Sequence, residues 1–225
     1  MLIEEDSSRR RRGFLAGVLF LIIMILIKFQ NASLNVVDAV LQALFTSHRL
    51  ETSGVFHFLM TAISALSSPK LDILWILIIA FLLWGFRFRI SALWAILTLG
   101  GADVLGTIVK HIVKRARPAQ HLAADNGYSF PSGHVLGAFI VGAVLFLVVI
   151  PNIQRSLVRF LLQLLIVLWM LFLAVSRVYL YAHWPLDTIG AMLLAYTWLQ
   201  VAEWLYVIWA PRLQEQVPIF YQTYI

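Results

Sequence analysis

Apolar positions in this chain fall in long unbroken runs, not in the alternation of a half-buried strand or the narrow stripe of a soluble helix. Six such runs cover approximately residues 13–29, 71–86, 90–113, 135–151, 157–175 and 186–209. A span needs roughly 17–25 apolar residues to cross a hydrocarbon core about 30 Å thick, and all but the short second run reach that length. Arg9 to Arg12 followed by an apolar run resembles a signal peptide. The run is too long, however, and no Ala-x-Ala cleavage site follows, so it predicts an uncleaved first span.

Between the first two runs the hydrophobicity weakens. Val36, Val37, Val40, Leu41, Leu44 and Phe45 recur at helical spacing, and a second patch covers residues 55–66. Amphipathic pieces of this kind lie in the interface instead of crossing it. They read either as a surface-packed hairpin or as a rim that guides a lipid toward a site. The expected fold class is therefore all-α: an integral membrane six-helix bundle with interfacial amphipathic helices between the first two spans. No linker, repeat or low-complexity tract divides residues 1–225, so a single domain is expected.

Composition agrees with this class. The chain is 61% hydrophobic and 12% charged, against about 45–50% and about 25% in soluble domains. With no cysteine, disulfides and thiolate metal sites are excluded. The basic residues set the orientation. A cytoplasmic N-terminus puts nine of them inside (Arg9 to Arg12, Arg87, Arg89, Arg155, Arg159, Arg212) and eight outside (Lys28, Arg49, Lys70, Lys110, Lys114, Arg115, Arg117, Arg177). Nine against eight is a poor positive-inside bias. Setting aside the five cations at the ends of the third and fifth spans leaves nine against three, and the rule is obeyed. The expectation is a cytoplasmic basic segment at residues 1–12, both termini cytoplasmic, and an extracytoplasmic segment at residues 30–70. The five surplus cations need a reason other than topology, and no nucleic-acid partner is expected for them.

Three short words at the outer ends of the spans supply that reason. In KHIVKRARP, Lys110, Lys114 and Arg117 are spaced to share one helical face, with Pro118 expected to mark the helix end. In PSGH, Pro131, Ser132, Gly133 and His134 lead into the fourth span. A helix N-terminus with a glycine offers backbone N–H groups and a positive dipole end to an anion, and His134 stands where a proton could be delivered. Read alone, the same word fits a capped helix with a buried histidine. In SRVYLYAHWPLD, His183 and Asp187 are four apart and Pro185 suits the first turn of the next helix. A carboxylate on one ring nitrogen leaves the other as nucleophile or base. Alone, this pair fits a structural hydrogen bond equally well. Arg177 adds a planar donor fork suited to phosphate oxygens. Under the six-span topology all three words reach the same membrane face and converge on one electropositive pocket.

The pattern Lys110-x6-Arg117-Pro118, Pro131-Ser132-Gly133-His134 and Ser176-Arg177-x5-His183-x3-Asp187 resembles the three-part signature of the type 2 phosphatidic acid phosphatase superfamily. It is most similar to the small bacterial membrane branch that dephosphorylates undecaprenyl pyrophosphate or phosphatidylglycerophosphate. The resemblance implies that His183 attacks phosphorus and carries a phosphohistidine, with Asp187 orienting it. It implies that His134 protonates the leaving oxygen and later helps to activate water, and that Lys110, Arg117, Ser132, Gly133 and Arg177 hold the phosphoryl oxygens. Three fixed cations can do the electrostatic work of a metal, and the sequence offers no acidic cluster near this face, so neither metal nor other cofactor is expected.

The expected substrate is a membrane lipid phosphate, with undecaprenyl pyrophosphate preferred and phosphatidylglycerophosphate or phosphatidic acid as alternatives. A non-catalytic binder or transporter of anionic lipids would need the cations but not the His183–Asp187 pair. Lys114 and Arg115 lie outside the signature and are assigned to headgroup or diphosphate attraction. Selectivity is expected in residues 31–70, in the loop 121–128 and in grooves between spans. Asp103, seven residues before Lys110 and about 10 Å deeper, reads either as a functional candidate, being an intramembrane acid, or, preferably, as an internal polar tie beside Gly100 and Gly101. Ala138-x3-Gly142 and Ala191-x3-Ala195 read as helix packing, and Trp198, Trp204 and Trp209 as core or interfacial aromatics. Nothing in the sequence sets the oligomeric state.

Overall fold

Pro69 and Pro185, each at the first position of a helix where a missing N–H costs nothing, mark two of the eight α-helices among the described residues, in which no strand occurs. The computed structural model describes residues 3, 6, 8–46, 54–119 and 126–225. The helices are α1 (Arg9–Lys28), α2 (Ala32–Thr46), α3 (Val55–Leu66), α4 (Pro69–Gly85), α5 (Arg89–Val113), α6 (Gly133–Val144), α7 (Ser156–Tyr179) and α8 (Pro185–Gln216). A π-turn at Leu145–Val149 and a 3-10 turn at Ile150–Asn152 carry α6 onward.

Helices α5, α6 with its extension, α7 and α8 are each long and apolar enough to cross a membrane. The pairs α1 with α2 and α3 with α4 also qualify, but they bend by 99° and 57° at their junctions, so the count is six if each bent pair is one span. The fold is an all-helical membrane bundle. Helix α8 is its axis, packing along α1, α5 and α6. Ala191 and Ala195 are fully buried and Ala138 nearly so, which lets α6 and α8 approach closely. Gly101 faces the indole of Trp198, where a Cβ would stand 2.2 Å from a ring carbon. Trp198 donates to the Thr98 carbonyl at 2.7 Å, whereas Trp204 and Trp209 face outward.

Several details differ from the sequence reading. Helix α1 begins at Arg9, and the Arg9 side chain is buried against Glu203 of α8 at 2.8 Å instead of lying in solvent. The Asp103 side chain makes no hydrogen bond or ion pair among the described residues, so it is not the expected polar tie. Helix α2 is amphipathic, but in reverse. Its polar residues Asp38 and Gln42, four apart, are buried against the bundle, while Val36, Val37, Val40 and Leu44 point outward. It therefore lies over the protein with its polar face inward and its apolar face outward.

Candidate active site

The site forms where the ends of α5, α6, α7 and α8 meet. Helix α5 stops at Val113, where Lys114 adopts the left-handed conformation (φ 56°). The chain runs on through Pro118 without helix. The expected continuous face of Lys110, Lys114 and Arg117 does not exist. The competing demand is pairing across to the next segment: Ser129 N–H donates to the Arg115 carbonyl at 2.9 Å, and Ser129 Oγ to the Ala116 carbonyl at 3.1 Å. This pairing holds the 115–117 segment beside the PSGH word. Lys110, in the last turn of α5, reaches the Tyr128 carbonyl at 2.9 Å, and Lys114 is exposed.

Ser132 is the N-cap of α6, and its backbone N–H donates to the Asp187 carbonyl at 3.1 Å. Its hydroxyl is fully buried, makes no capping bond and has no partner among the described residues. A buried hydroxyl in that state costs free energy, so it is a group waiting for an acceptor. Gly133 and His134 open the same first turn, each partly exposed.

Arg177 lies within the last turn of α7, not in the following loop; it is buried at 2% exposure and donates to Ser64 Oγ of α3. Its carbonyl accepts the backbone N–H groups of Ala182 and His183, which folds the 180–184 turn back over the helix end. His183 is thereby held at 2% exposure with Nδ1 3.5 Å from Asp187 Oδ2. That separation is at the far edge of hydrogen bonding, as catalytic contacts often are without substrate. On the other side Arg117 Nη1 stands 3.3 Å from Nε2. A guanidinium can only donate, so Nε2 is the acceptor and the ring proton belongs on Nδ1, facing the carboxylate. Burial pushes the His183 imidazole down to about 4, with Asp187 pulling the other way and Arg177 and Arg117 reinforcing the drop. At neutral pH the ring is uncharged, with its Nε2 lone pair beside a cation. Arg117 meanwhile donates to the carbonyls of Ala182 at 2.6 Å and Gly127 at 3.1 Å.

Asp187 is fully buried in the first turn of α8; its Oδ2 accepts the backbone N–H of Trp184, the N-cap residue, at 2.9 Å. Its Oδ1 takes Arg115 Nη1 at 2.8 Å, and Arg115 Nη2 pairs with Asp38 of α2. Arg115 is thus spent inside the protein between two carboxylates, which corrects its assignment to headgroup or diphosphate attraction. Sequence reasoning also missed Asp38, Gln42 and Ser64. An acid at position 38 amid Val36, Val37 and Val40 was the one available signal. Of the expected loop 121–128, residues 121–125 lie outside the described residues, as does Arg49.

An apolar groove of about 480 Å³ runs between α4, α6 and α7, lined among others by Ser67, Asp72, Trp75, Ala138 and Trp169. Its rim at Leu66 and Ser67 is within a turn of Ser64, the partner of Arg177. A larger cavity of about 930 Å³ lies toward Arg9, Arg12 and Glu203 and contains none of the site residues named above. Among the described residues no group of three or more His, Asp or Glu is placed to hold a metal ion.

Fold and site together define a multi-pass membrane protein with buried cations and a neutral histidine at one end of a helical bundle. Residues 91–211, more than half of the chain, match the PAP2 superfamily, and the chain belongs to that superfamily. An undecaprenyl-diphosphatase of Sulfolobus acidocaldarius is 29% identical over 186 residues, 79% of this chain and 82% of that protein. A phosphatidylglycerophosphatase B of Haemophilus influenzae is 41% identical over 78 residues, 34% of this chain and 32% of that protein. In fold, the chain is similar to the crystal structure of the transmembrane PAP2-type phosphatidylglycerolphosphate phosphatase of Bacillus subtilis (TM-score 0.75, 21% identity, 88% of this chain and 96% of that one). It also resembles Aquifex aeolicus LpxE (TM-score 0.57, 20% identity, 76% and 94%). The chain is a lipid phosphatase of the PAP2 type, and its substrate is a membrane lipid.

Proposed function

We propose that residues 1–225 act as one membrane phosphatase domain that hydrolyses a lipid diphosphate or phosphomonoester through a phosphohistidine on His183, with undecaprenyl pyrophosphate as the preferred substrate. The observation that carries the mechanism is the state of His183: buried, neutral, with Nδ1 toward Asp187 and Nε2 beside Arg117. The Nε2 lone pair attacks phosphorus while the bond to the leaving oxygen breaks, and His134 supplies the proton to that oxygen. His134 then takes a proton from water, whose oxygen displaces the histidine, releasing phosphate and restoring the neutral ring. Lys110, Arg117 and Arg177, with the Ser132 hydroxyl and the N–H groups of the first α6 turn, hold the phosphoryl oxygens where charge develops. The groove beside α4, α6 and α7 suits the lipid chain. The site faces the extracytoplasmic side, with both termini in the cytoplasm, as the charge count at the span ends favours.

Undecaprenyl pyrophosphate is preferred because the Sulfolobus relative so named matches most of the chain. Phosphatidylglycerophosphate is the second reading, favoured by the higher identity of the Haemophilus relative over its shorter match. Phosphate release by the purified protein with EDTA present, from a prenyl diphosphate, phosphatidylglycerophosphate and phosphatidic acid in parallel, ranks the substrates. His183→Ala is the control. Turnover that survives EDTA and vanishes in the variant is the expected result; unchanged release by His183→Ala would overturn His183 as the nucleophile, and no release from any of the three lipids would return the chain to an anionic-lipid binder.

A further inference from the structure

Helix α2 carries a buried acid whose two oxygens both reach the catalytic end of the bundle. Asp38 is 1% exposed. Its Oδ1 accepts Leu186 N–H at 2.9 Å, in the first turn of α8, and its Oδ2 pairs with Arg115. The other arm of the Arg115 fork reaches Asp187 Oδ1 at 2.8 Å, and the guanidinium lies over the Trp184 ring, 5.5 Å from its centroid. Four positions along the same face, Gln42 Nε2 donates to the Val178 carbonyl at 2.7 Å, just after Arg177. The opposite face of α2 is apolar and exposed. One guanidinium between two carboxylates fixes each in direction, because the planar fork offers two separate donor edges. An unpaired charge at this burial would be costly, so Asp38 and Arg115 depend on each other.

We propose that Asp38 is a positioning residue for the reaction: through Arg115 and the α8 N-terminus it aims Asp187 at His183 and so makes catalysis depend on the docking of α2. This inference rests on the phosphatase reading above. Asp38 holds no phosphoryl oxygen, and Arg115 is turned inward to carboxylates. Their loss therefore acts on the chemical step, in contrast to that of Lys110 or Arg117.

The test is a kinetic cycle on the full-length protein in detergent micelles, with a prenyl diphosphate and a prenyl monophosphate as substrates. The proteins are wild type, Asp38→Asn, Arg115→Gln, the double variant and His183→Ala. Asp38→Asn keeps the shape and the acceptor for Leu186 N–H but turns an amide donor toward Arg115. We expect kcat to fall about tenfold in Asp38→Asn and roughly 10–100-fold in Arg115→Gln, by analogy with the outer-shell groups that orient metal-ligating histidines, with KM within about twofold of wild type. The double variant should be within about twofold of Arg115→Gln alone, because coupled residues do not add. Both substrates should be affected alike. Arg115→Lys, which offers one ammonium to two carboxylates, should lose kcat in the same way and supplies a second route if Asp38→Asn does not fold. Asp38→Asn at wild-type kcat overturns the positioning role while His183→Ala is inactive. A rise in KM confined to the diphosphate in Arg115→Gln does the same, returning Arg115 to substrate binding. His183→Ala as active as wild type overturns the phosphohistidine reading itself, and this one with it.

Discussion

Ser132→Ala separates function from folding at a single oxygen. In most N-caps the serine hydroxyl bonds to a backbone N–H of the first turn, and its removal costs roughly 1 kcal/mol of stability. Here Ser132 Oγ makes no such bond and is buried without a partner among the described residues, a condition that costs about 1–3 kcal/mol by itself. Deleting it removes an unsatisfied group and leaves a buried methyl-sized side chain. The stability change is therefore expected between zero and about +1 kcal/mol, a rise of up to about 4 °C in Tm for a chain of this length. Activity should move the other way. A hydrogen bond to a charged phosphoryl oxygen contributes about 1.5–3 kcal/mol, which at 1.36 kcal/mol per decade is a loss of roughly 10–150-fold in kcat/KM. Thermal unfolding in detergent and initial rates of phosphate release on one preparation read both. Activity within twofold of wild type, or a Tm several degrees lower, would refute the assignment of this hydroxyl to the substrate.

Two further predictions follow from the same site. Because the His183 imidazole is held down to about 4, its own protonation should remove less than about a tenth of the nucleophile at pH 5; kcat/KM corrected for the substrate's ionisation should show no loss as pH falls from 7 to 5, and a decline on acidification centred near 6.5 would contradict the buried neutral ring. The linked stability effect has a defined sign: between about 6.5 and 4 the unfolded chain binds a proton at this histidine that the folded protein does not, so its contribution is fully present above 6.5 and declines as pH falls through that window, measurable as Tm against pH. Gly190→Ala would place a Cβ 2.4 Å from the Phe130 ring; overpacking of this kind costs about 1–3 kcal/mol and displaces the residue that precedes Pro131 and Ser132, so both Tm and kcat should drop, and wild-type values for both would show that the ring yields freely.

The membrane class and the approximate limits of the helices are legible along the chain, because a span is a local signal: some twenty adjacent apolar residues need no distant partner to be recognised. The Pro185 helix start and the reach from Asp187 to His183 were legible for the same reason, being separated by only a few residues. The end of α5 was not. Pro118 disfavours helix only in its immediate neighbour, and the chain leaves the helix at Lys114 to hydrogen-bond with Ser129, a competition invisible in the word KHIVKRARP. Tertiary structure alone decided where the charge of Arg115 goes, since its partners Asp38 and Asp187 lie 77 and 72 residues away. It also decided which face of α2 turns inward. Spacing says that a helix has two faces, but inside a bilayer the apolar face has no compelling reason to be buried. The polar one does, because only the protein can satisfy it.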